Sequence, residues 1–301
     1  MTVNIAALRA FHAVALAGGF SAAAERLGRT QSTVTIMVEK LERDYGVELV
    51  VRRRGKFIAL TDIGQAVLRS ANQMFSHEND IQEVLRNAGN LVGGLLRIGS
   101  TAPKSMIDII NSVQPHIPGL EFRISHANSV QVRQDLIDCN IDIGVIGGKV
   151  DEADLEAFPY EKSEIVLIGT SKLIPINGMT ICREDFAKQV LLMRETGSHT
   201  RKEVLNAFDQ FGIQPGRMFE IATREALVYA AAAGLGLAMI ADVEIPEGLN
   251  LHTARLEGLR IDGEISLCIL KSRAASPMLR RVLQIALADR NGPDGDQAAA
   301  R

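Results

Sequence analysis

The spacing of apolar residues changes character near Leu95, and the change divides the chain into two kinds of structure. Before it the pattern is helical. Leu8, Phe11, Val14 and Ala15 recur at helical spacing, and Gly18-Gly19 ends that run. Ser21 is suited to cap a short helix over Ala22–Leu27, and Gly28-Arg29-Thr30 reads as a tight turn. A third helix, Gln31–Asp44, carries Val34, Val38 and Leu41 on one face. Two short helices about a glycine-containing turn form a helix-turn-helix signature. Leu49–Leu60 then reads as a two-stranded wing, with Arg52-Arg53-Arg54-Gly55-Lys56 at its tip. Thr61 caps a long helix from Asp62 to Gly89, in which Val67, Met74 and Ile81 fall seven apart with Ala71 and Leu85 on the same side. That partial heptad predicts pairing with a second copy. Gly89 and Gly93-Gly94 mark a hinge.

From Leu95 onward strands and helices alternate. Strands are expected at Leu95–Gly99, Leu120–Ser125, Ile141–Ile146, Ile165–Gly169, Val190–Met193, Met218–Ile221, Leu237–Ile240 and Ile265–Leu270. Helices are expected at Ser105–Val113, Val130–Cys139, Arg201–Phe211, Arg224–Ala233 and Pro277–Ala288. This is an α/β body consistent with two subdomains. The tail Asn291–Arg301, rich in Gly, Ala and Asp, is expected to be disordered. Aromatic residues make up only 4% and Trp is absent, so the cores must be aliphatic.

Charge separates the two parts as well. The net charge is −3, yet residues 1–64 hold nine Lys/Arg against six Asp/Glu. A basic head on an acidic body places any polyanion at the head. Cys139, Cys182 and Cys268 are scattered, fit neither a zinc site nor a disulfide framework, and imply a reducing compartment. The start of the chain reads as an amphipathic helix rather than a signal core, and the apolar run Leu227–Ala241 is too short to span a bilayer. A cytoplasmic chain with no membrane association is expected.

The residues Leu8-Arg9-Ala10-Phe11, Gly19-Phe20-Ser21-Ala22-Ala23-Ala24-Glu25-Arg26-Leu27, Leu41-Glu42 and Leu60-Thr61-Asp62-Ile63-Gly64, in that order and spacing, resemble the LysR-type transcriptional regulators. Weaker likeness continues at Leu96-Arg97-Ile98-Gly99, Arg194–Arg201 and Ala233-Gly234-Leu235-Gly236. Tyr45–Leu49 and Thr223–Leu227 are similar to regulators associated with aminoethylphosphonate catabolism. The resemblance implies a winged helix-turn-helix DNA-binding domain over residues 1–60, a dimerising linker helix over 61–90, and an effector domain built like a periplasmic binding protein. Lobe I would take residues 91–164 and 266–301, lobe II residues 165–265, with crossing strands at Ile165–Gly169 and Ile265–Leu270. It further implies a homodimer assembling to a homotetramer, with RNA polymerase as a further candidate partner. The third helix departs from the family pattern, with Ile36 and Met37 where a polar pair commonly faces DNA.

Candidate site residues follow from chemistry and spacing. Gln31 can pair with adenine, and Ser32, Thr33 and Thr35, with Ser21 nearby, can reach bases or phosphate of double-stranded DNA. Arg52, Arg53, Arg54 and Lys56 suit phosphate or the minor groove. In the body, Ser100-Thr101, Asn128-Ser129, Gly197-Ser198-His199-Thr200 and Thr223 open helices at the carboxyl ends of strands, with Gly147 after another strand. Taken singly these are ordinary caps; converging on one cleft, they favour a small anionic effector. A phosphonate or phosphate ester is the first expectation and a carboxylate the second. No nucleophile–base pair, phosphate loop or metal-ligand spacing occurs, so no enzyme activity, metal or cofactor is expected. A solute-binding sensor without operator specificity is the alternative, and an enzyme on the binding-protein fold a third. The sensor has no use for residues 1–60, and the enzyme lacks catalytic groups.

Overall fold

A computed structural model describes residues 2–53, 56–88 and 94–290. The expected hinge glycines Gly89 and Gly93, and the tail from Asn291, lie outside the described residues. Contacts group the chain into two compact units, Met1–Leu85 and Arg86–Arg301.

The first unit contains α1 (Ile5–Ala17), α2 (Phe20–Leu27), α3 (Gln31–Tyr45), β1 (Val50–Arg53), β2 (Lys56–Leu60) and α4 (Asp62–Ala88). The Asn4 side chain accepts from the Ala7 amide to start α1, and Gly18 at φ 64° ends it. Phe11, Val14, Phe20, Val34, Val38 and Leu41 form the core. Ser21 does not cap α2. The helix begins at Phe20, because burying that ring fixes where the chain enters, and Ser21 lies inside the first turn. β1 and β2 pair antiparallel as the expected wing. Thr61 Oγ1 accepts from the Gly64 amide at 2.9 Å and donates to the Glu48 carbonyl at 2.6 Å, locking α4 beneath the wing. A Cβ on Gly64 would stand 2.0 Å from the Leu49 oxygen, so only glycine permits this approach.

The row Val67, Met74, Ile81 is not one continuous free face. Val67, Leu68, Ala71, Met74 and Phe75 pack into the core of the head itself. Arg9 forks onto Glu78 at 2.6 and 2.7 Å, and its guanidinium stacks 4.5 Å from the Phe75 ring centroid. Among the described side chains of α4, the large apolar ones left open are Ile63 at its start, 50% exposed, and Ile81 and Leu85 in its far part, 61% and 67% exposed. The heptad reading could not see that α1 covers the first half.

The second unit runs β3 (Gly94–Ser100), α5 (Pro103–Val113), β4 (Leu120–His126), α6 (Ser129–Ile137), β5 (Ile143–Gly147), β6 (Leu155–Gly169), β7 (Met179–Ile181), α7 (Arg183–Ala187), β8 (Leu191–Arg194), α8 (His199–Phe211), β9 (Met218–Ile221), α9 (Arg224–Ala232), β10 (Leu237–Ala241), β11 (His252–Leu256), β12 (Asp262–Leu270) and α10 (Pro277–Arg290). Its strands follow the order β4-β3-β5-β12-β6-β10-β8-β9, with β11 bridging β6 and β7. β3 is parallel to β4 and β5, and β8 to β9 and β10. The cores are aliphatic: Leu96, Ile98, Val145, Leu267 and Val282 in lobe I, Leu167, Leu191, Val204 and Leu237 in lobe II.

The two antiparallel crossing strands are β6 and β12, and both begin earlier than the sequence suggested. β6 starts at Leu155, pairs with β12 as far as Glu164, and from Ile165 pairs with β10. Its first half is polar and contains Pro159, which hides it from an apolar-alternation search; the ladder tolerates the proline opposite an irregularity between Ile265 and Ser266. β7 and β11 are short and escaped the sequence reading.

Candidate nucleic-acid interface and effector cleft

Thr30, ahead of α3, organises the exposed start of the helix. Its Oγ1 accepts from the Thr33 amide at 3.3 Å and lies 3.0 and 2.8 Å from the Ser32 and Thr33 hydroxyls. Ser21 Oγ donates to Gln31 Oε1 at 2.9 Å, which leaves the Gln31 amide group free to donate. Thr35 donates to the Gln31 carbonyl at 2.9 Å and therefore faces outward as an acceptor. Ile36 beside them is 63% exposed. A short polar face with one apolar side chain is what the major groove accepts, the apolar group against a thymine methyl.

The wing cations do not all point outward. Arg52 donates to Glu42 Oε2 at 2.7 Å and lies 5.4 Å from the Phe20 ring centroid. Glu42 Oε1 accepts from the Leu49 and Val50 amides at 2.9 and 3.1 Å. This carboxylate clamps α3 to β1, and Arg52 is part of the clamp rather than a free phosphate ligand. Arg53 is exposed; Arg54 and the Lys56 side chain lie outside the described residues.

In the second unit a cleft of about 600 Å³, including space open to solvent, runs between the lobes. Of the expected residues it gathers Thr101, Asn128, Ser129, Gly147, Ser198, His199 and Thr200. Ser100, Gly197 and Thr223 are not on its wall. Ser100 is fully buried, accepting from the Ala102 amide and donating to the Val145 carbonyl. Gly197 at φ +98° makes a turn against the Asn128 amide group. Thr223 caps α9 by accepting from the Ala226 amide. Each spends its polar atoms or its backbone freedom on local structure.

The cleft also holds charged groups that sequence reading missed or left unassigned. Arg194, at the end of β8, is 8% exposed; its Nε and Nη2 donate to Glu195 at 2.8 and 3.0 Å. Burial would raise the Glu195 carboxyl, but hydrogen bonds from Arg194 and its own amide hold it below the usual range. Arg224 pairs with Glu244 at 2.8 Å. Burial depresses the Arg224 guanidinium, against the support of Glu244. The Ser105 hydroxyl of lobe I lies 3.3 Å from Glu244 and 3.1 Å from Glu161, sharing its one hydrogen between the two carboxylates behind the cleft. Glu203, Asp262 and Glu264 complete the charged lining. The strand-end position of Arg194 was the signal that could have flagged it.

His199 covers Gly148 so closely that a Cβ there would stand 1.9 Å from Nε2. Burial lowers its pKa, outweighing Glu203 nearby, so the imidazole is neutral at neutral pH. Cys139 and Cys268 are buried, and burial raises both thiols, Cys268 to about 12. Among the described residues, no three His, Cys, Asp or Glu side chains gather as a metal site, and no helix is long and apolar enough to cross a membrane.

Comparison with known proteins agrees with this layout. The family profile described as a bacterial regulatory helix-turn-helix protein of the lysR family matches residues 5–65, and the LysR substrate binding domain matches residues 89–290. The HTH-type transcriptional activator CmpR of Synechocystis is 28% identical over 83% of this chain and 79% of its own length. The RuBisCO operon transcriptional regulator of Allochromatium vinosum is 28% identical over 87% of each chain. These relatives are regulators of transcription, not enzymes. Full-length OxyR from Pseudomonas aeruginosa has the same fold, with a TM-score of 0.74 at 19% identity over 95% of this chain and 97% of that one. So does the regulatory domain of Synechocystis CcmR in complex with 2-PG, with a TM-score of 0.58 at 22% identity over 65% and 97%.

Proposed function

The chain belongs to the LysR family of ligand-responsive transcriptional regulators, and from that premise we propose that a small anion in the interlobe cleft changes how its heads engage double-stranded DNA. The observation that carries the anion is Arg194. It is buried at the cleft wall, Glu195 occupies two of its nitrogens, and Nη1 has no partner among the described residues. The starts of α6 and α8, capped by Asn128 and Ser198, add backbone donors and dipole. A phosphonate or phosphate ester is the first choice of effector, on the likeness at Tyr45–Leu49 and Thr223–Leu227, and a carboxylate the second.

On the DNA side, Gln31, Ser32, Thr33 and Thr35 read base edges or phosphates, while Arg53, Arg54 and Lys56 contact the backbone. Ser21 positions Gln31. Residues 1–60 serve as the DNA-binding domain and 61–90 as the linker. Lobe I takes 91–164 and 266–301, lobe II 165–265. Pairing through Ile81 and Leu85 gives a homodimer, which assembles further to a homotetramer; RNA polymerase is a partner in the cytoplasm.

The test is a footprint on the DNA upstream of the protein's own gene, with and without ethylphosphonate, phosphate esters or short carboxylates. An anion should alter the footprint of the parent chain and leave that of Arg194→Gln unaltered. An equal response in the variant, or a response to neutral compounds alone, overturns the anion reading.

A further inference from the structure

We infer that the effector is a zwitterion: its oxyanion faces Arg194 and Ser129, and a cationic ammonium on the same small molecule faces Glu203 and Glu264. This rests on the interlobe cleft being the effector site and adds the second charge.

The oxyanion end has two unsatisfied polar groups to meet it. Arg194 keeps Nη1 free although the residue is 92% buried. Ser129 is 4% exposed, opens α6 on the cleft wall, and its hydroxyl has no hydrogen bond among the described residues. Neither atom is sealed away from the cleft, so both can donate to a ligand oxygen there.

The rest of the lining has the opposite sign. Two arginines, Arg194 and Arg224, stand against four carboxylates, Glu203, Glu244, Asp262 and Glu264. Glu244 is neutralised by Arg224, and Asp262 by Arg260 at 2.8 Å. Among the described residues, neither Glu203 nor Glu264 has such a cation. The nearest candidate for Glu203 is His199 Nδ1 at 3.9 Å, and that ring is neutral. Among the described residues, Glu264 accepts from the Ser266 hydroxyl alone, at 3.1 Å; Lys162, opposite it across the β6–β12 ladder, is exposed and forms no ion pair with it.

Both residues line the same cleft, and their backbones flank Gly148 and His199. Glu203 lies one helical turn beyond His199, whose ring covers Gly148, and the Gly148 amide donates to the Glu264 carbonyl at 2.7 Å. A simple anion entering here gains one free guanidinium nitrogen, the Ser129 hydroxyl and two helix starts, but in a net-negative lining. A molecule bringing its own ammonium satisfies both ends, as charge-assisted bonds require.

The experiment is calorimetry on the full chain with two matched pairs, 2-aminoethylphosphonate against ethylphosphonate and 3-aminopropanoate against propanoate, with ethylamine as control. The amino member of at least one pair should bind ten-fold or more tighter than its partner, and ethylamine should not bind. Glu203→Gln with Glu264→Gln should erase that preference while leaving the plain anion as tight or tighter; both side chains reach solvent, so the fold tolerates the change. Plain anions that match their amino partners, or a preference that survives the double variant, overturn the zwitterion and leave the anion reading standing. If no member of either pair binds, both readings fall.

Discussion

Replacing Glu42 by Ala removes one side chain that holds three donors. Leu49 and Val50 are each 2% exposed, so their amides lose an acceptor that water does not readily replace. Each such loss costs about 1–3 kcal/mol. Arg52 also loses its partner; it is 24% exposed at the side chain, so solvent screens it and the added cost is about 1 kcal/mol or less. The sum is about 2–7 kcal/mol, a large part of the roughly 5–15 kcal/mol that holds a domain folded. Urea unfolding of the head, followed by amide exchange at Leu49 and Val50, reads the effect directly. Glu42→Gln should cost less, because an amide oxygen still accepts from the two backbone donors. DNA binding should weaken with the head's stability even though Glu42 faces inward. A Glu42→Ala chain within about 1 kcal/mol of the parent, with the two amides still protected, would refute the clamp.

Gly64→Ala should destabilise the head by about 2–4 kcal/mol, since its methyl would stand 2.0 Å from a backbone oxygen that cannot rotate away; an unchanged urea midpoint would contradict it. On the proposed pairing, Glu substitution at both Ile81 and Leu85 should reduce the mass in light scattering to that of one chain, whereas Met74→Lys should chiefly lower the melting temperature of the head. Arg53→Ala should flatten the salt dependence of DNA binding by about one unit, and an unchanged slope would remove the wing from the interface. Burial alone would raise the Asp142 carboxyl, but hydrogen bonds and charge from Arg97, with Arg273 behind it, hold it below the usual carboxylate range. That stabilisation is therefore present above the unfolded pKa of about 3.9 and lost as pH falls through the lower folded value. Melting curves from pH 7 to pH 2 should show Asp142→Asn less stable at neutral pH and flatter in acid; parallel curves would refute the assignment.

How far the sequence could be read depended on how local the decisive contacts are. The helices of the head and their glycine ends followed from apolar spacing within a dozen residues, and Gly18, Gly28 and Gly46 adopt the left-handed caps that stop them. α4 was visible as a helix, but its covered side was not, because Arg9 and Phe11 lie some sixty residues from the side chains they meet. The first half of β6 was invisible for a related reason. Nothing in Glu156–Glu164 alternates cleanly, and the strand exists because β12, a hundred residues later, supplies its ladder.

The cleft shows the same limit in its charge. Helix starts are marked locally by caps, so Asn128, Ser129, Ser198 and Thr200 could be picked out one at a time, and the same marking drew in Thr223, whose cap is only a cap. Whether an arginine is spent or free depends on a partner from another segment. Arg201 turns back onto the Arg194 carbonyl and Glu220, while Arg194 keeps a nitrogen at the wall. The carboxylates come from α8, the turn after β10, and the start of β12, and only the fold brings them to the wall of one cleft. A chain read for donors alone therefore predicts an anion. Once the uncompensated carboxylates are placed beside those donors, charge balance asks for a ligand with a positive end as well.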